Sequence, residues 1–117
     1  MSRQIFLDTE TTGLSPESGD RIIEIGCIEM KNRRATGNNF WRYVNPERGS
    51  EPGALAVHGI KDEFLLDKQR LPEMAQELWN YLEGAELLIH NAGFDLGYLN
   101  MEFARAGFTQ KLEEVCT

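Results

Sequence analysis

Sulfur, proline and positive charge are all scarce in this chain. Its two cysteines, Cys27 and Cys116, show neither a C-x-x-C pair nor metal-ligand spacing, so both read as reduced thiols and a disulfide framework is not supported. No apolar run approaches membrane length, and the opening Met1-Ser2-Arg3-Gln4 leads into an apolar stretch too short for a secretory h-region. A soluble cytoplasmic protein with no membrane partner is expected. Lys and Arg number 12 against 19 Asp and Glu, a net charge of -7, which argues against a broad, sequence-independent grip on duplex backbone. There is no P-loop, no G-x-S-x-G elbow, no dinucleotide fingerprint, no internal repeat and no linker. What remains is 117 residues, 41% hydrophobic, sufficient for one domain with a modest core.

Against that background the most informative stretch is Asp8-Thr9-Glu10-Thr11-Thr12-Gly13, directly after the apolar run Ile5-Phe6-Leu7. Carboxylates at i and i+2 of a strand fall on one face and can share a divalent cation. Gly13 belongs to the turn ending the strand, so the acids should lie at its C-terminal edge, where open α/β sheets place ligands. An exposed strand end carrying two acids for solubility would look the same.

A second motif, Leu88-Ile89-His90-Asn91-Ala92-Gly93-Phe94-Asp95, lies far downstream. Leu96, Leu99, Phe103 and Ala106 then recur at helical spacing, which puts Asp95 in the first turn of a helix, where the dipole favours its ionised form. Taken singly, Asp95 is an ordinary helix-start acid and His90 an ordinary strand-end histidine.

Between the two motifs, strands are expected near Gln4–Leu7, Arg21–Met30 and Asn39–Val44 as an antiparallel meander, with Asn32-Arg33-Arg34 and Gly37 in the turn. Pro52 can open a short helix through Val57. A fuller helix from Pro72 to Glu83 carries the core stripe Ala75, Leu78, Trp79 and Leu82; Gly84 ends it, and Glu86–Ile89 supplies another strand.

The two acidic motifs together resemble the first two signature blocks of the DEDD superfamily of 3'-to-5' exonucleases. Further blocks, Ile22 to Gly26, Arg33 to Phe40, Val57-His58-Gly59-Ile60 and Asp62 to Lys68, make the chain similar to the proofreading epsilon-subunit family of bacterial DNA polymerase III. The resemblance runs from Arg3 to the last residue and implies an α/β, ribonuclease H-like mixed sheet flanked by helices. It also implies that residues 1–117 form an exonuclease domain incomplete at its C-terminus, about two-thirds of such a domain by size. The family's third block, with the general-base histidine and a further aspartate, would follow, so this chain alone is expected to be nearly inactive.

By the same resemblance Asp8 would bridge two Mg²⁺ or Mn²⁺ ions, Glu10 would bind one, and Asp95 would hold the second. Two such ions about 3.5 to 4 Å apart can activate water, stabilise the phosphorus centre and balance the leaving oxygen. Oxygen ligands suit these hard cations, and the cations offset an acidic chain at its phosphate substrate. Thr11 would offer its backbone amide to the terminal nucleotide of a DNA 3' end. His58 would border that nucleotide, and Phe94 would pack on its sugar or base, although a turn cap and core packing respectively explain these two as well. Pro52-Gly53-Ala54 stands where the family often has Pro-Glu-Ala, so a substrate-contacting glutamate has no counterpart at Gly53. Implied partners are the polymerase III catalytic subunit, the theta subunit and the sliding clamp. An exonuclease trimming RNA ends and a catalytically dead interaction module are the competing readings.

Overall fold

The computed structural model describes residues 3–89, 92–109, 112 and 115–116. Its first strand, β1 (Arg3–Thr11), alternates as the sequence predicts: Ile5, Leu7, Thr9 and Thr11 are buried, while Phe6 and Asp8 are exposed. The strand runs on past Leu7, so Asp8 and Glu10 lie within it. β2 (Ile22–Lys31) pairs antiparallel with β1, setting Asp8 opposite Gly26 and Glu10 opposite Glu24. A two-residue turn then reverses the chain into β3 (Arg34–Ala35), with Asn32 and Arg33 at φ 51° and 64°, as a primed hairpin turn requires. β4 (Phe40–Tyr43) returns along β2 and completes the expected meander, with β3 as a short addition to it.

After β4 come α1 (Pro52–His58), opened by proline at its first position, and the four-residue α2 (Asp62–Leu65), for which no element is expected from the sequence. α3 (Leu71–Leu82) begins with Glu73 accepting from the Arg70 backbone amide at 2.8 Å and ends before Gly84, whose φ of 78° suits glycine. β5 (Glu86–Ile89) matches its expected bounds and pairs parallel with β1. α4 (Ala92–Arg105) follows. β6 (Val115–Cys116) pairs parallel with β5. Among the described residues the sheet order is β3-β2-β1-β5-β6, with β4 also on β2.

Helices α3 and α4 cover one face of this sheet. Leu71, Met74, Ala75, Leu78, Trp79 and Leu82 of α3 and Leu96, Tyr98, Leu99 and Phe103 of α4 pack with Ile5, Leu7, Ile22, Leu87 and Ile89 in one core. Trp79 meets Phe103 edge-on at 5.2 Å. The other face is open: Phe6, Ile28 and Trp41 remain substantially exposed there, around a groove of about 500 Å³ that also contains Asp8 and Gly26.

Two polar clusters fix the meander and the last helix. At the far end of β2, the buried Glu29 carboxylate accepts from Thr36, Arg3 and Asn38, which together hold it well below the usual range, at about 2. The Arg33-to-Phe40 block therefore serves the hairpin. At the start of β2, Arg21 donates through Nε and Nη2 to both Glu102 oxygens at 2.7 to 3.0 Å, and the Ile22 amide donates to the same carboxylate at 3.2 Å. The hydrogen bonds to Glu102 raise the Arg21 pKa, so the guanidinium stays charged.

Removing one partner leaves the other charge buried and uncompensated. Glu102→Ala should therefore cost about 3 to 5 kcal/mol, whereas replacing both Arg21 and Glu102 with leucine should recover most of that loss. Chemical denaturation of the three proteins checks this, and equal losses for the single and double replacements would show that the pair contributes through packing alone.

Candidate active site

The two acids of β1 leave the sheet on its open face, because side chains alternate along a strand. Opposite Asp8 stands Gly26, and among the described residues no atom outside its chain neighbours lies within 4 Å of a would-be Cβ there. Opposite Glu10 stands a third carboxylate, Glu24, which accepts from the Trp41 indole at 2.6 Å. Partial burial, then the nearby charges of Asp8, Glu24 and Asp95, raise the Glu10 pKa. This strand end thus concentrates negative charge.

Asp95 arrives from the other side of the sheet. It lies in the first turn of α4, buried, and accepts a hydrogen bond from the Thr9 hydroxyl at 2.7 Å. Asp8 and Glu10 therefore share one strand face as expected, while Asp95 approaches from the helix-covered side. Among the described residues, no three His, Cys, Asp or Glu side chains are gathered tightly enough to hold a metal by themselves. The donor chemistry, hard carboxylate oxygens without thiolate, nevertheless suits a Mg²⁺-like cation that keeps water or substrate oxygens in its shell.

Past Glu10 the chain makes a tightly determined turn. The Thr11 hydroxyl and the Tyr98 phenol both donate to the Gly13 carbonyl, at 2.7 and 2.6 Å. Burial pushes the Tyr98 phenol up to about 12, so it remains a donor at neutral pH. Thr12 exchanges bonds with Arg21 through its backbone and hydroxyl, and that hydroxyl also donates to Asp20 at 2.8 Å. Asp20 additionally accepts from the Ser15 amide at 3.2 Å and lies 3.6 Å from Arg48. Gly13 is required here because a Cβ would come within 2.3 Å of the Asp20 carboxylate.

This turn forms one wall of a cleft of about 520 Å³, with α1 and Phe94 opposite; Glu10, Thr11, Leu14, Gly53, Val57 and His58 line it. Leu14 and Val57 are more than four-fifths exposed, an apolar rim with nothing packed on it. His58 accepts the Ile60 amide on Nδ1 at 2.9 Å, which puts the proton of its neutral form on Nε2, and that nitrogen is buried with no acceptor among the described residues. The turn cap and the cleft position thus coexist. Phe94 is half-buried against Tyr98, with ring centroids 4.9 Å apart, and also lines the cleft, so it serves packing and the cavity wall together. Gly53 leaves its part of the wall open, with no atom within 4 Å of a would-be Cβ. His90 and Asn91 lie outside the described residues.

Thr9, Tyr98, Asp20 and Arg21 escaped the sequence reading. Strand parity does signal that Thr9 faces away from its acidic neighbours, and the i+3 spacing from Asp95 puts Tyr98 on the same side of α4.

A family model described as Exonuclease matches residues 5–117 of the chain. The chain belongs to that exonuclease family. It is 49% identical over 98% of its length to the DNA polymerase III subunit epsilon of Haemophilus influenzae, and 54% identical over 89% of its length to that of Escherichia coli strain K12. It spans about half the length of these curated relatives, 46% and 44% respectively. In three dimensions it is similar to exonuclease I, with a TM-score of 0.83 at 23% identity over 92% of this chain and 25% of that one. A second structure, Escherichia coli exonuclease I in complex with a dA16 oligonucleotide, gives 0.82 at 23% identity over 91% of this chain and 24% of that one. The ribonuclease H-like α/β class expected from the sequence is therefore the fold.

The crowded turn makes a specific expectation. Gly13→Ala must displace Asp20 and loosen the end of β1, at a cost of about 1 to 3 kcal/mol by the usual scale of overpacking. Thermal melting measures it. An unchanged midpoint would show that Asp20 swings away freely.

Proposed function

We propose that the protein containing this chain is a metal-dependent 3'-to-5' DNA exonuclease that proofreads for a bacterial replicative polymerase in the cytoplasm and releases 5'-mononucleotides. The observation carrying this reading is the placement of Asp8 and Glu10 on one face of β1, with the buried Asp95 electrostatically coupled to Glu10 from α4. The names of the similar epsilon subunits support the DNA polymerase III context; the polymerase catalytic subunit, the theta subunit and the sliding clamp are the partners that the family resemblance implies. A solved Escherichia coli exonuclease I of this fold is described as a zinc-bound complex with single-stranded DNA, which supports a divalent cation.

Asp8, Glu10 and Asp95 would hold two Mg²⁺ or Mn²⁺ ions, which when bound supply Lewis-acid activation of water and of the scissile phosphate. The chain's own residues do the rest. Leu14 and Val57 offer an apolar seat for a base unstacked from its neighbour, and Phe94 can pack on its sugar. The His58 Nε2–H can donate to a sugar or phosphate oxygen, and the Thr11 backbone lies at the same wall. Because the cleft accepts one splayed nucleotide at a strand end, a frayed or mispaired 3' terminus fits better than a closed duplex. The chain's acidity is tolerated for the same reason: only the terminal phosphates need neutralising.

Full-length protein should release mononucleotides from a 3'-mispaired DNA only with Mg²⁺ or Mn²⁺, and Asp8→Asn or Glu10→Gln should lower turnover on the order of 10²- to 10³-fold or more. RNA oligomers degraded far faster than DNA would replace this reading with that of an RNA-trimming enzyme, and absence of any hydrolysis would leave the interaction module.

The apo protein offers a separate check. The folded Glu10 pKa lies above its ordinary 4.5, so the folded state holds its proton longer and stability falls as pH rises through and above that value. Glu10→Gln should therefore melt at or above the wild-type temperature at pH 7 without metal, with the difference vanishing near pH 4. A large destabilisation at pH 7 would make Glu10 a structural residue.

A further inference from the structure

Thr9 stands between the two acids of β1 yet is buried on the opposite, helix-covered side. Its backbone amide donates to Asp8 Oδ1 at 3.0 Å, and its hydroxyl donates to Asp95 Oδ1 at 2.7 Å across 86 residues of sequence. One residue thus grips a carboxylate on each side of the sheet. Each bond engages one oxygen, Oδ1, of its acid, and because a carboxylate has about four lone-pair sites, such a bond does not by itself exclude a cation. The rotamer of a β-branched residue in a strand is restricted, and here both hydroxyl and methyl are enclosed, so the direction of the Asp95 bond is set by the strand rather than by the helix.

We infer that Thr9 is a positioning residue that fixes the Asp95 carboxylate relative to Asp8, and so tunes the affinity of the site for a divalent cation without touching substrate. The inference rests on the metal-dependent reading above. It gives the third acid a defined place although Asp95 belongs to a different element from Asp8 and Glu10: the strand reaches out to the helix. Serine can keep the hydroxyl. Valine keeps the shape and removes it, and alanine removes both.

The test is Mn²⁺ binding to full-length protein, read from the free-Mn²⁺ paramagnetic resonance signal, beside kcat and KM on a single-stranded oligonucleotide. Loss of a residue that orients a metal ligand commonly costs about 10- to 100-fold in metal affinity. Thr9→Val and Thr9→Ala should show that loss together with a lower kcat at unchanged KM, while Thr9→Ser binds nearly as wild type. The Ala and Ser pair isolates the hydroxyl even if Val fails to fold. Equal Mn²⁺ affinity in Ala and Ser, with wild type binding normally, overturns the role of Thr9 alone. Wild type that neither binds Mn²⁺ nor hydrolyses DNA overturns the functional reading along with it.

Discussion

The buried contact of Arg21 with Glu102 decides where α4 lies, and the site depends on that placement. Bidentate donation through Nε and Nη2, with the Ile22 amide on the same carboxylate, ties the helix to the first residues of β2. Its counterpart one turn earlier is the Tyr98 phenol on the Gly13 carbonyl, and another turn earlier comes Asp95 on Thr9. These three helix positions, spaced by three and four, make one polar seam along α4 against the end of β1 and the start of β2. A helix held by its apolar stripe alone could slide by a fraction of a turn at little cost. Directional bonds with charged and buried partners prevent that, and so set the distance from Asp95 to the strand acids.

The seam also explains how an acidic site survives folding without a cation. Partial burial of Glu10 first, and then the nearby charges of Asp8, Glu24 and Asp95, raise its pKa, so the ionised acid opposes the native state. The arginines nearest the turn are engaged elsewhere: Arg48 lies against Asp20 and Glu51, and Arg21 is committed to Glu102. The core of α3, α4 and the sheet must therefore outweigh the unfavourable charge, in keeping with the dense packing of Trp79, Phe103 and Phe108. A functional site that is strained in isolation and relaxed by its ligand is a common arrangement, in which stability is given up locally for binding.

Much of this was legible in the sequence because period and punctuation agreed. The alternation of Ile5, Leu7 and the acids, the stripe of Ala75, Leu78, Trp79 and Leu82, and the glycine after α3 each reported the element that formed. The bounds of β1 did not, since Thr9 and Thr11 are polar residues buried by hydrogen bonds, and hydrophobicity is blind to them. α2 was missed because four residues hold no helical period, and β6 because a two-residue strand is defined by its neighbour β5. The resemblance singled out Asp8, Glu10 and Asp95 as candidates, but not that Asp8 and Glu10 leave β1 on one face while Asp95 meets the strand from the other.

That opposition has a geometric consequence. β1 separates two concavities, the open-face groove that includes Leu7 and Asp8 and the cleft that includes Thr9, Glu10 and Thr11. Since successive side chains point to opposite faces, a strand end is the natural place for a residue set to serve both. Glu10 stands at the junction: it borders the cleft where a terminal nucleotide would sit and senses the charge of Asp8 on the groove side and Asp95 on the helix side. Under the proposed function, recognition by the apolar rim of Leu14 and Val57 and chemistry at the carboxylates would be adjacent but built from different elements, the first from the turn and α1, the second from β1 and α4. Substitutions in α1 would then change which 3' ends are accepted, while the seam from Asp95 to Glu102 keeps the acids in register.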